Sequence, residues 1–364
     1  MTRDIQCPTR LADGWTGCQD KHATIAWGPG TGSDASRLWA TNAISVSGGL
    51  ALSVTFSDDL GATWSKPYVS RSTPPWSGCF PSIAVDNWPA SPDFGTVYVA
   101  YNWLASASSV GIEVLASRDG ATWSHADVPV AAYAGYPFAW RFGYRVAASP
   151  AGGAYVSFYE GDMAIWNAAD MWQIGKPANT GRAGYAISRI GYSGSGTLTA
   201  SAPVWVTNVR VSTSPIFDPE CQSELGVDAD GGLWLVLSDR PTIGGGYVKV
   251  GHSTDGGAAW AWAEQTVPGT EGFKASLAIS GRTVFVGWHA MQKSGAIRTY
   301  FSTTVDGGLF YSAPALVSSS TFKMPAIVNG TGLREAASAA GGWIYYAWGD
   351  ARDGLEIYLA VVAP

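Results

Sequence analysis

One short stretch recurs along this chain and limits what it can fold into. It reads Ser57-Asp58-Asp59-Leu60-Gly61-Ala62-Thr63-Trp64 and returns as Ser253-Thr254-Asp255-Gly256-Gly257-Ala258-Ala259-Trp260. A degenerate copy reads Thr304-Val305-Asp306-Gly307-Gly308-Leu309-Phe310-Tyr311, and a shorter one reads Ser117-Arg118-Asp119-Gly120-Ala121-Thr122-Trp123. Each copy follows a run rich in β-branched or aromatic residues, and most lead into another extended run. That is the placement of a hairpin turn. Asp and Ser side chains bond their own backbone, Gly takes the φ > 0 position, and the aromatic ring plugs the sheet. Asp59, Asp119, Asp255 and Asp306 are therefore expected to be structural, although they look like acidic ligands. A turn of this length that repeats signals an internal repeat, and the repeat decides the architecture.

Six similar units follow from about residue 20 onward. Each opens with a short strand of small residues, at 22–27, 81–86, 144–148, 223–228, 275–280 and 325–329. The first five units carry three further strands, with the turn between the third and the fourth. This predicts an all-β fold, a six-bladed β-propeller of four-stranded antiparallel blades, as one domain over residues 1–364. The sixth unit stops at Pro364 without a fourth strand. Residues 4–12 are an extended piece with no sheet of their own. They are expected to close the last blade and remove its open edge. The third blade carries a long insertion, 160–183, between its second and third strands.

Composition excludes several function classes. The chain has 364 residues, 22 Lys and Arg against 28 Asp and Glu, and a net charge of -6. No basic stripe points to nucleic acid, and no apolar run reaches membrane-spanning length. Cys7, Cys18, Cys79 and Cys221 show no Cys-x-x-Cys spacing, so zinc is not expected, and nothing suggests a cofactor. A disulfide within the first eighty residues fits an exported protein, whereas four buried thiols fit a cytosolic one. No signal peptide is visible at Met1-Thr2-Arg3-Asp4. The expectation is a secreted, monomeric protein that meets a glycan, not a nucleic acid or a membrane.

These repeats, their number, and Trp348-Gly349-Asp350-Ala351-Arg352-Asp353-Gly354 before the last strand resemble the sialidase superfamily of Asp-box propellers. The resemblance covers residues 20–364. It implies a site with three arginines on a substrate carboxylate, a Tyr nucleophile, a Glu that activates it and an Asp acid/base. Glu224 opens a first strand and Arg240 ends a second, so they match the family's Glu and one of its arginines. Elsewhere the chain departs from that pattern. Lys21-His22-Ala23 stands where the family has Arg-Ile-Pro, the loop 43–50 has no carboxylate, and 325–329 has no Tyr. These departures predict no strong sialidase activity.

The loops expected at the channel mouth suit a polar ligand with apolar ring faces, which describes a carbohydrate. Arginine forks bind carboxylates in bidentate fashion, and aromatic planes supply area at low entropy cost. Candidate reacting groups are Glu224, Glu160, Asp162 and His289. Candidate binding groups are Arg240, Arg141, Arg145, Arg71, Lys21, Trp166, Trp172, Tyr136 and Tyr159. Each has a bland alternative: the aromatics as packing, Glu224 and Arg240 as an ion pair, and His289, His125 and His252 as structural histidines. A glycosidase needs two carboxyl groups across the scissile bond. A polysaccharide lyase would use His289 or Tyr159 as base, with an arginine on a uronate carboxylate. A non-catalytic lectin-like propeller would repeat its site in every blade. Here the polar residues concentrate in blades 3 and 4, which favours one site and an enzyme.

Overall fold

The structure is a computed structural model. It describes residues 24–30, 36–46, 49–70, 81–106, 109–129, 139–162, 183–208, 223–239, 246–304, 309–323, 335–340, 342–350 and 356–362. These residues form six antiparallel sheets and no helix, the all-β fold class of a six-bladed propeller. The chain divides into two compact units. One comprises Met1–Glu160 and Ala186–Val204, the other Gly161–Tyr185 and Trp205–Pro364.

The first sheet is Thr24–Pro29, Ser36–Val46, Gly49–Ser57 and Tyr68–Val69. The second is Ser82–Val85, Val97–Ser106, Ser109–Ser117 and Ser124–Asp127. In the third, Ala139–Ala148, Ala154–Asp162 and Ala183–Tyr192 lie side by side. Both Leu198–Ala200 and Val204–Asn208 pair with the last of these. Val, Tyr and Leu side chains alternate into a core shared by the first two sheets, where Trp39, Leu52, Val54, Val97, Val99, Tyr101 and Leu115 are buried together.

In the second unit, the fourth sheet is Ser223–Val227, Leu233–Asp239, Tyr247–Ser253 and Ala261–Gln265. The fifth is Thr270–Ser280, Thr283–Gln292, Ala296–Thr304 and Ala315–Leu316, with Phe322–Lys323 also on its third strand. The sixth is Glu335–Ala340, Trp343–Asp350 and Glu356–Val362. The run Leu233-Trp234-Leu235-Val236-Leu237 is fully buried, as a strand covered on both faces must be. Trp234, Val236, Val248 and Val250 pack against Val284, Val286 and Trp288. Phe285 and Ala278 pack against Ile344, Tyr346 and Trp348.

The recurring turns have the expected bonding. Asp59 Oδ1 accepts the Ser57 hydroxyl at 2.7 Å and the Thr63 amide at 2.7 Å, and Ser57 Oγ accepts the Gly61 amide at 2.7 Å. Asp119 accepts the Ala121 and Thr122 amides at 2.8 and 2.7 Å. Asp255 accepts the Ser253 hydroxyl at 2.8 Å and the Ala259 amide at 2.9 Å. The indole N–H closes two of the turns, Trp123 onto Gly120 O at 3.1 Å and Trp260 onto Gly257 O at 2.9 Å. Glycines take positive φ as expected, but so does Leu60, at 60°. The second sheet's turn is also seated on the first sheet. A Cβ on Gly120 would lie 2.5 Å from Phe56 and 3.1 Å from Trp39. Arg37 pairs with Asp58 at 2.7 Å, lies 3.8 Å over the Phe56 ring, and donates to Asp119 O at 3.4 Å. Residues 305–308, with Asp306, lie outside the described residues.

Two sequence expectations are corrected. The first strand of the sixth sheet is Glu335–Ala340, not 325–329. Its Ala and Ser residues have low strand propensity, and pairing decides their state. Gly342, at φ 83°, turns the chain back, and Ala337 and Ala339 pack into the core. Residues 43–50 are not a loop either. Both flanking strands run on until Val46 pairs with Gly49, and only 47–48 are left to connect them. The proposed closing strand, 4–12, lies outside the described residues, and the sixth sheet has three described strands.

Candidate functional site

Antiparallel pairing sets which residues share one end of a sheet. In the fourth sheet Ser223 pairs with Leu237 and Asp239 with Tyr247, so Glu224 and Asp239 lie at the same end. Glu224 is half-buried and Asp239 is buried. Asp239 Oδ2 is 3.4 Å from Lys249 Nζ, and that ammonium lies 5.5 Å over the Trp262 ring. Burial, then the charges of Asp239 and Glu264, push the Tyr247 phenol up to about 12. The Gly272 amide donates to Gly246 O at 2.9 Å, which brings the start of the fifth sheet to this end.

There the fifth sheet is irregular. Phe273 pairs with His289, and a β-bulge separates it from Ser276. Inside the bulge Lys274 is 3% exposed, with φ 50°. A left-handed backbone is costly for a side chain longer than glycine, and such strain collects at functional sites. His289 is fully buried between the Phe273 and Phe322 rings, each at 5.5 Å. Its Nδ1 is 3.0 Å from Thr299 Oγ1. Glu224, Asp239, Lys274 and His289 thus lie toward the same end of the fourth and fifth sheets.

In the first unit Tyr159 and Glu160 are buried at the end of Ala154–Asp162. Arg145 is half-buried, and its Nη1 donates to Tyr144 O at 2.9 Å. The Tyr144 hydroxyl donates to Asn102 Oδ1 at 3.3 Å. Arg141 and Asp162 sit on described strands, but their side chains lie outside the description. So do Lys21, Arg71, Tyr136, Trp166, Trp172 and Arg240 as whole residues. No group of His, Cys, Asp and Glu among the described residues could hold a metal ion.

From the sequence, Asp239 and Lys274 are expected at the channel mouth with Glu224 and His289, but without a specific role. Lys274 announces itself only through its backbone, and the bulge that bends it has no residue signature. Asp239 precedes Arg240 directly, and a carboxylate closing a second strand beside an arginine was a usable signal.

No protein-family model matches the sequence, and no curated protein matches it. Solved structures do share its fold. Trypanosoma rangeli sialidase is 14% identical, with a TM-score of 0.53, over 88% of this chain and 51% of that one. The Hadza microbial sialidase Hz136 is 14% identical, with a TM-score of 0.51, over 93% of this chain and 65% of that one. The fold is that of a sialidase-like β-propeller. The chain spans about half the length of the Trypanosoma rangeli protein, and at this identity the likeness concerns the fold alone.

Proposed function

We propose that this protein is a carbohydrate-active enzyme that cleaves a glycosidic bond in an anionic glycan. What supports the reading is that Glu224, Asp239, Lys274 and His289 lie toward one end of the fourth and fifth sheets. Three of the four, Asp239, Lys274 and His289, are buried, and buried ionisable groups are costly to maintain, which makes them site candidates. In this reading the recurring turns are Asp boxes that stiffen the scaffold. Glu224 is the reacting carboxylate. Arg240, next in the chain after Asp239, grips the ligand's anionic group with a bidentate fork. Asp239, tied to Lys249, holds the strand end that directly precedes Arg240 in the chain. Glu160 and Asp162 are the further carboxyl candidates. The departures at 43–50 and Lys21 argue for an anionic sugar other than a simple sialoside.

The test is a screen of uronate-containing and sialylated glycans, followed by two variants. Glu224→Gln keeps shape and hydrogen bonding but cannot titrate, so turnover should fall by roughly a hundredfold or more while affinity holds. Arg240→Lys keeps the charge but loses the fork, so affinity should weaken as well. Parent-like behaviour of both variants rejects this site. Binding without turnover, abolished by changing Trp166 and Trp172, makes the protein a lectin-like propeller instead.

A further inference from the structure

A second polar constellation lies in the first unit, on residues not used above. Glu113, on the third strand of the second sheet, is fully buried. A buried carboxylate must be satisfied by donors. The Tyr101 hydroxyl donates to Glu113 Oε2. On its other side, Glu113 Oε1 is 3.2 Å from His125 Nδ1. His125 belongs to the fourth strand and keeps 34% of its side chain exposed. Its Nε2 is 3.3 Å from the hydroxyl of Tyr68, on the last strand of the first sheet. The Tyr68 ring stacks on Trp123 at 4.9 Å, which fixes its direction.

The chemistry of this chain has a direction. A carboxylate only accepts, so Nδ1 of His125 carries the hydrogen it donates to Glu113. In the neutral ring Nε2 is then the acceptor, and Tyr68 donates to it. A buried acid that orients an imidazole, whose far nitrogen faces a hydroxyl near solvent, is the arrangement that activates a nucleophile. A structural histidine needs only one such bond. Here the buried end is doubly bonded and the exposed end meets a phenol.

We propose that Glu113, His125 and Tyr68 form a second reactive site, an activated tyrosine that accepts acyl groups from small esters. Tyr68 Oη attacks the ester carbonyl carbon, and its proton passes to His125 Nε2. The new C–O bond forms as the bond to the leaving alcohol or phenol breaks, and the leaving group takes that electron pair. Glu113 stabilises the imidazolium, which then gives its proton to solvent. The product is an aryl ester on Tyr68, with no oxidant or metal required.

The experiment exposes the full chain to p-nitrophenyl acetate near neutral pH and maps acetylation by peptide mass spectrometry. Tyr345, which is exposed, is the internal standard. Tyr68 should react roughly ten- to a hundredfold faster than Tyr345, and His125→Gln should remove that advantage. Glu113→Gln, which keeps the shape but weakens the orientation, should remove part of it. Equal rates at Tyr68 and Tyr345 in the parent protein overturn the proposal. So does an unchanged Tyr68 rate in folded His125→Gln, or a label that stays on His125. If His125→Gln fails to fold, the parent alone decides. A normal solvent deuterium isotope effect on Tyr68 acetylation supports proton transfer to the imidazole, and no effect overturns it.

Discussion

Asp59 is exposed, yet its carboxyl is held down to about 2, first by the Thr63 hydroxyl and amide and then by Ser57. Asp119 is held at about 2 by the Thr122 and Ala121 amides. A depressed acid stabilises the fold above its unfolded pKa and loses that contribution as pH falls through the folded one. Asp59→Asn should therefore cost stability at neutral pH. The difference from the parent should shrink between pH about 4 and about 2. A constant difference in acid melts would show that these bonds do not favour the charged form. Gly120 makes the sharper residue-scale prediction. Its φ of 77° and its approach to Phe56 and Trp39 leave no room for a methyl group. Gly120→Ala should destabilise by about 2–4 kcal/mol in denaturant titration. At this scale the sequence was readable wherever a residue's own chemistry decides its conformation, as Asp, Ser and Gly do in the turns. It placed Lys274 at the channel mouth but not its backbone, because nothing in a lysine announces φ 50°.

Among the elements, strand pairing was legible where β-branched and aromatic residues are dense, and misread where they are not. Glu335–Ala340 is strand only because Trp343–Asp350 pairs with it. The hairpin from Ser36 to Ser57 outgrew its reading because Gly48-Gly49 looks like the middle of a loop, whereas alternation continues through Ile44 and Val46. Packing between elements was not legible at all. Gly287 shows why: a Cβ there would lie 2.5 Å from the Tyr346 ring, so the fifth and sixth sheets meet through a missing side chain. Gly287→Ala should cost about 1–3 kcal/mol. Tyr346→Phe in that background should recover little, because the ring and not only the hydroxyl blocks the methyl. A melting temperature unchanged by Gly287→Ala would mean the two sheets are looser than they look.

For the whole molecule, fold and chemistry separate. Repeat count and turn chemistry predicted a six-bladed, all-β chain, and neighbours at 14% identity share that fold. The reacting groups were only partly readable, because a site is assembled from strand ends far apart in sequence. Glu113, His125 and Tyr68 come from three strands and two sheets. The departures from the sialidase pattern lead to a plain prediction. An aryl sialoside should not be turned over at ordinary enzyme rates, and turnover at such rates would refute it. The seat of Gly120 against Phe56 and Trp39 also has a consequence in time. Arg37 waits for a partner 82 residues further on. At roughly 5–20 residues per second, that is on the order of 4–16 s of synthesis. Once Tyr68–Val69 completes the first sheet, its aromatic socket stays uncovered until Gly120 is made, so the ribosome-bound chain is most vulnerable just before its second turn emerges.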